Sequence, residues 1–243
     1  MSDDKPLAER ISIWLRERVE EAGAKGLVVG MSGGIDSSVA AALAKKACGD
    51  GVLGLIMPCH SNPSSTADAF KVADFLGIRT HVADLTDAYE ALISRLPHTG
   101  GIELSNVRPR LRMTALYCAA QAAHYLVCGT SNKTETMIGY FTKWGDAACD
   151  IQPLAGLYKS QVYRLARDLG IPDEIIEKTP TADLWEGQTD EGEIGMTYAE
   201  LDAVLHAIES GDTTGCNPDS VQRVRRMMAR SEHKRGPIPV FEP

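Results

Sequence analysis

Apolar residues at Leu7, Ile11, Trp14, Leu15 and Val19 recur three or four positions apart, which predicts an amphipathic N-terminal helix ended by Gly23. The pattern then changes to short apolar runs. Leu27 to Met31, Val52 to Met57, Ile78 to Val82 and Tyr125 to Cys128 read as four strands. Between them helical spacing returns at Val39 to Cys48, at Thr66 to Leu76 closed by Gly77, and at Arg110 to His124. Beyond Asp150, Ile151 to Leu154 reads as a short strand, and Ser160 to Leu169, Tyr198 to Ile208 and Asp219 to Ala229 read as helices. Alternating strands and helices predict an α/β fold: a doubly wound parallel sheet, Rossmann-like, with helices on both faces. No internal repeat or linker divides the chain, so residues 1–243 are expected to form a single domain. With the strand order 3-2-1-4-5, the order reverses between strands one and four, and ligands bind at that switch point. The loops there are Ser32 to Asp36 and Gly129 to Glu135.

Charge narrows the partners. Lys and Arg total 25 against 33 Asp and Glu, a net charge of −8, which speaks against nucleic acid and favours a small-molecule partner. No run of about 18 apolar residues is present, as a membrane span would need. Met-Ser-Asp-Asp is not the basic start of a signal peptide, so a cytoplasmic location without membrane attachment is expected. Cys48, Cys59, Cys118, Cys128, Cys149 and Cys216 show no C-x-x-C spacing, and most lie in apolar stretches, so all six are expected to be reduced and structural.

The first switch-point loop carries the clearest chemistry. Ser32-Gly33-Gly34-Ile35-Asp36-Ser37-Ser38 follows a strand and opens a helix. Glycines let the backbone approach a phosphate chain, serine hydroxyls add donors, and a helix start supplies unpaired N–H groups and the positive end of a dipole. Asp36 is placed to hold a cation against those phosphates. The loop is not a Walker motif, because no Gly-Lys-Ser/Thr follows the glycines. It resembles the pyrophosphate loop of the N-type ATP pyrophosphatases, the adenine nucleotide alpha hydrolase-like superfamily, which cleave ATP between the α and β phosphates.

Further segments narrow that likeness. Gly129-Thr130-Ser131-Asn132-Lys133-Thr134-Glu135, then Gly139 to Asp146, Asp150, Pro153-Leu154, Lys159, Pro180 to Leu184 and Glu232-His233-Lys234-Arg235 together resemble ammonia-dependent NAD synthetase, over nearly the whole chain from Gly26 onward. The resemblance implies a homodimeric ligase of NAD biosynthesis. It amidates deamido-NAD to NAD with ATP, Mg²⁺ and ammonia, through an adenylated intermediate. It further implies ATP contacts over Gly30, Met31, Ser32, Gly33, Gly34, Ile35, Asp36, Ser37 and Ser38, with Thr130, Lys159 and Thr181 completing that site. The Ile35 side chain is expected to point in toward the sheet. Asp36 and Glu135 are the implied Mg²⁺ ligands. Arg110, Tyr117, Lys143, Asp150, His233 and Lys234 are implied in holding the dinucleotide, partly across the dimer. Lys159 and Asp146 are the implied catalytic pair, Asp146 taking the proton that ammonia loses. One departure is visible: where some relatives carry an arginine after strand two, Leu55-Ile56-Met57-Pro58 is apolar.

Two features bear on nitrogen supply and order. No long glutamine amidase segment precedes Ser32, and no cysteine has a local activating signature, so ammonia is expected to be used directly or delivered by a separate amidotransferase. Thr181 to Gly195, with Asp183, Glu186, Asp190, Glu191 and Glu193, is expected to be a mobile surface loop that a nucleotide could order into a lid. Rival readings share the first loop. Other ATP pyrophosphatases, such as the synthetase part of GMP synthetase, argininosuccinate synthetase or a tRNA-modifying ligase, would lack the Tyr140 to Asp150 segment or would carry a basic surface. A regulatory module would hold ATP without turnover.

Overall fold

A computed structural model describes residues 5–97, 100–183 and 187–242; Leu184 and Glu186 of the sequence reading lie outside the described residues. The elements run α1 Leu7–Glu21, β1 Leu27–Gly30, α2 Ile35–Cys48, β2 Val52–Ile56, α3 Pro63–Leu76, β3 Arg79–Val82, α4 Thr86–Ile93, α5 Ile102–Ser105 and α6 Val107–Ala123. They continue with β4 Leu126–Cys128, α7 Lys133–Ile138, α8 Lys159–Asp168, α9 Asp173–Ile176, α10 Asp190–Ile194, α11 Tyr198–Ser210, α12 Pro218–Arg230 and α13 Glu232–Arg235.

All strand pairs are parallel, and the order is β3-β2-β1-β4. Side chains alternate across a strand, so Leu27 and Val29 enter one core with α1, α2, α3 and α8. Val28 enters the other, with Leu55, Val127 and Ala120 under α6. Both faces are therefore covered, which is why β1 is apolar at successive positions. β3 is an edge strand, and its largely exposed Arg79-Thr80-His81-Val82 suits an edge that must not recruit another chain. A third cluster, built on Ile138, Ile194, Leu201, Leu205 and Val224, joins α7, α10, α11 and α12 beside the sheet.

Three expectations need correction. The fifth strand is a single parallel bridge between Cys128 and Ile151, so the sheet has four strands among the described residues. Pro153 follows two residues later, and without an N–H it cannot extend the pairing. Helix α6 begins at Val107 rather than Arg110, because Pro109 in the first turn lacks an N–H that would have had no helical partner anyway. The segment 187–195 is not simply a surface loop. Thr189 caps α10 by accepting from Gly192 N, and Gln188, Asp190 and Ile194 are buried. Asp190, Glu191 and Glu193 occupy the first turn of that helix, where the dipole favours them.

Gly26, just before β1, sets how closely β1 and β2 start. A Cβ there would lie 1.9 Å from Gly51 O, a backbone atom that cannot swing aside. Gly26→Ala is expected to destabilise the fold by about 2 kcal/mol. Chemical denaturation read by circular dichroism checks this, and an unchanged midpoint would show that the strands can part at that point.

Candidate active site

Where β1 ends, the chain turns sharply and enters α2 at Ile35, so Asp36, Ser37 and Ser38 occupy the first helical turn. Gly33 makes the turn possible. Its φ of +76° is left-handed, and a Cβ would lie 2.5 Å from Ser65 O of α3. The loop is tied internally: Gly34 N donates to Ser32 Oγ at 3.2 Å, Ser32 N to Ser37 Oγ at 3.3 Å, and the two hydroxyls lie 3.0 Å apart. Ser38 Oγ donates to Gly34 O at 2.8 Å and is buried.

The second loop is held by a capping box. Asn132 Oδ1 accepts from Glu135 N at 3.0 Å, and Glu135 Oε2 accepts from Asn132 N at 3.3 Å. The same Asn132 reaches across the switch point and donates from Nδ2 to Asp36 Oδ1 at 2.9 Å. Asn132 stood in the Gly129 to Glu135 motif without a role of its own, and the short helix α7 was not predicted, although Asn-x-x-Glu is the capping-box signature.

Lys159 closes the arrangement. It stands at the first position of α8, its backbone N donating to Thr134 Oγ1 at 2.9 Å. Next to it, Ser160 N donates to Asp202 Oδ2 at 2.8 Å. Its ammonium, with the side chain 1% exposed, lies 2.5 Å from Asp36 Oδ2 and 3.3 Å from Glu135 Oε1. Burial alone would lower this lysine, but the carboxylates of Asp36 and Glu135 outweigh it and hold the ammonium above the ordinary lysine range. Burial, reinforced by Asp36, pushes Glu135 up to about 7 against the opposing pull of Lys159. Behind Glu135, Tyr198 OH donates to Asp190 Oδ2 at 2.9 Å and Tyr140 OH donates to Asp190 Oδ1 at 3.2 Å. Asp190 and Tyr198 are thus a buried support that sequence patterning did not reveal. Two carboxylates already arranged around one positive charge suit a hard divalent ion. Among the described residues no group of three or more His, Cys, Asp or Glu side chains that could hold a metal ion occurs.

These groups open on one cavity of about 420 Å³, lined among others by Gly30, Met31, Ser32, Gly34, Ile35, Asp36, Ser37, Thr130, Glu135, Lys159 and Thr181. Asp146 and Lys234 line it too. Asp146 accepts from Thr142 N at 2.9 Å. Asp146 is exposed on the cavity wall, and partial desolvation by the surrounding protein raises its carboxyl above the usual range. Lys234 of α13 donates to Gly139 O and Phe141 O, each at 2.9 Å, and so fastens the C-terminal helix over the cavity. Arg112, also on the wall, donates from Nε to Met57 O at 3.1 Å. A helix on the far side of the sequence thus brings a guanidinium to the end of β2, where the chain itself is apolar.

A family model described as NAD synthase matches residues 7–238. An NH3-dependent NAD⁺ synthetase of Carboxydothermus hydrogenoformans is 48% identical over 232 residues, covering 93% of each chain. Among solved structures, an NMN synthetase from Francisella tularensis superposes with a TM-score of 0.89 at 38% identity, covering 97% of each chain. An NH3-dependent NAD synthetase from Campylobacter jejuni superposes with a TM-score of 0.86 at 30% identity, also over 97% of each chain. This chain belongs to the NAD synthase family.

Not every residue that the resemblance singled out reaches the cavity. Gly33 and Ser38 shape the loop from behind rather than lining it. Arg110, Lys143 and His233 meet outside: the Arg110 guanidinium donates to Lys143 O at 3.2 and 3.3 Å, and Lys143 Nζ donates to His233 O. Tyr117 OH donates to Asp150 Oδ1 at 3.2 Å, and Asp150 Oδ2 accepts from Val127 N at 2.7 Å. Arg110, Thr114, Cys118 and Ala122 share an exposed side of α6. Lys159→Met would leave two carboxylates facing each other in a largely enclosed site, and is expected to destabilise the metal-free protein by about 3 kcal/mol. Denaturation in the presence of a chelator checks this, and a wild-type midpoint would mean that the two carboxylates are solvated independently.

Proposed function

We propose that this protein makes NAD by amidating deamido-NAD with ammonia at the expense of ATP, releasing AMP and pyrophosphate. It is a ligase that forms a C–N bond. The observation that carries the reading is that the glycine-serine loop, the Asp36–Lys159–Glu135 cluster and the Asp146 carboxylate all open on one cavity.

The chemistry follows from what a carboxylate lacks. It is a poor electrophile, so its oxygen first attacks the α-phosphorus of ATP, the bond to pyrophosphate breaks, and an acyl adenylate results. Charge accumulates on the departing pyrophosphate, and positioned donors and cations lower that barrier. Ser32, Ser37 and the N-terminal turn of α2 supply the donors, with Thr130 and Thr181 on facing walls. Lys159 supplies a fixed positive charge, and Asp36 with Glu135 would hold Mg²⁺, which neutralises phosphate charge when bound. Ammonia then attacks the acyl carbon, AMP leaves with the bonding pair, and the nitrogen sheds a proton. Asp146, exposed on the cavity wall with its affinity for protons raised by partial desolvation, is the acceptor.

Ammonia rather than glutamine suits the cysteines. All six are free thiols, and burial pushes Cys48, Cys59, Cys128 and Cys149 up, the last to about 11, opposite to an activated thiolate. A separate amidotransferase could still deliver the ammonia. No helix among the described residues is long and apolar enough to cross a membrane, and we place the reaction in the cytoplasm. The exposed side of α6, with Arg110 at one end, is the proposed homodimer face; there Arg110, Tyr117, Lys143, Asp150 and His233 would serve a dinucleotide shared between subunits. Cys118→Arg on that face is expected to turn a dimer into a monomer in size-exclusion chromatography with light scattering, and a wild-type monomer at micromolar concentration would refute the dimer.

A second reading comes from the structural neighbour that carries the name NMN synthetase, for which the acid substrate would be the mononucleotide. The deciding experiment supplies ATP, Mg²⁺ and ammonium with either deamido-NAD or nicotinate mononucleotide, and replaces ammonium with glutamine in a parallel arm. NAD formed from ammonium, not from glutamine, is expected, with Asp36→Asn reducing pyrophosphate release by at least about a hundredfold. Faster turnover of the mononucleotide would transfer the assignment to the second reading.

A further inference from the structure

The triphosphate reading leaves a charge problem. The loop from Gly30 to Ser38 contains no basic side chain, and the ammonium of Lys159 is already shared between two carboxylates. A second lysine on the cavity wall answers it. Lys178, in the segment after α9, points its ammonium at Asp68 Oδ2 of α3, 2.7 Å away, with Ser65 Oγ at 3.5 Å. Ser65 and Asp68 are also the residues against which Gly33 packs: a Cβ on Gly33 would lie 2.5 Å from Ser65 O and 2.8 Å from Asp68 Cβ. The ammonium is therefore anchored to the wall that the phosphate loop itself leans on.

We propose that Lys178 is a further phosphate-binding residue, parked on Asp68 until the β and γ phosphates, or product pyrophosphate, fill the loop. Two features let it move. Asp68 also faces Lys71 at 3.6 Å, so it keeps a cationic neighbour when Lys178 leaves. The segment stays fastened to α3 by a second tie, because Asn62 N donates to Asp183 Oδ2 at 2.9 Å. A lysine on a flexible four-carbon stem can exchange one anion for another without backbone change.

This inference rests on the proposed ATP site, and the test separates the two. Isothermal titration at fixed Mg²⁺ compares α,β-methylene-ATP, pyrophosphate and AMP on wild type, Lys178→Met, Lys178→Arg and Asp68→Asn. The expected result is a loss of about tenfold in affinity for the analogue and for pyrophosphate in Lys178→Met, no change for AMP, and retention by Lys178→Arg. Asp68→Asn, which frees the ammonium, should bind the analogue no more weakly than wild type. A merely structural bridge predicts instead that Lys178→Met and Asp68→Asn lose all three ligands alike. That result, or unchanged analogue binding in Lys178→Met, overturns the proposal while the loop assignment stands. If wild type itself binds the analogue no better than AMP, the loop assignment fails first.

Discussion

The contact on which the site depends is a single ammonium between two carboxylates. Lys159 comes from the start of α8, Asp36 from the first turn of α2 and Glu135 from the first turn of α7. Removing Lys159 leaves two largely buried carboxylates uncompensated, and low-dielectric surroundings make that costly. The tie also fixes the two loops of the switch point to each other, since Asn132 adds a hydrogen bond from the second loop to Asp36. Sheet order makes this meeting possible: β1 lies between β2 and β4, so the turns leaving β1 and β4 emerge side by side.

Around that tie, packing does the positioning. Thr134 receives the Lys159 backbone donor, and Asp202 of α11 receives the Ser160 donor, so the helical cluster beside the sheet sets where α8 begins. The Tyr198 hydroxyl stands between Asp190 of α10 and the back of Glu135, at 2.9 and 3.5 Å, while the Tyr140 hydroxyl holds Asp190 through its other oxygen. A segment that looks like polar loop in the sequence is thereby coupled to the metal-ligand candidate.

Both rims of the cavity hold cations in reserve. Lys234 and Arg112 donate to backbone carbonyls, and Lys178 to Asp68, so each is neutralised or satisfied locally while remaining on the wall. The chain carries a net charge of −8, and the cavity wall shares it: Asp36, Glu135, Asp146, Asp183, Asp190 and Glu193 stand against Arg112, Lys159, Lys178 and Lys234. The second group of basic residues, Arg110 with Lys143 and His233, meets outside the cavity.

Much of this was legible in the residues. Apolar runs and helical spacing fixed the parallel α/β class, because burial on both faces leaves a direct mark on a strand. The order Ser-Gly-Gly-x-Asp-Ser marked the sharp turn from β1 into α2, since only glycine tolerates the left-handed conformation of Gly33 pressed against α3. Local chemistry also encoded α7, through its capping box. What the sequence could not state were distances between residues far apart in the chain: Asp36 to Lys159, Arg112 to the end of β2, Lys178 to Asp68. Nor could it say that Asp190 is buried, because acidic residues look solvated until two tyrosine hydroxyls are brought to them. Sequence patterns report which face of an element is apolar and what its ends can bond. The pairing of polar groups across elements is decided by packing alone, since any one of them could be satisfied by water until the fold removes it.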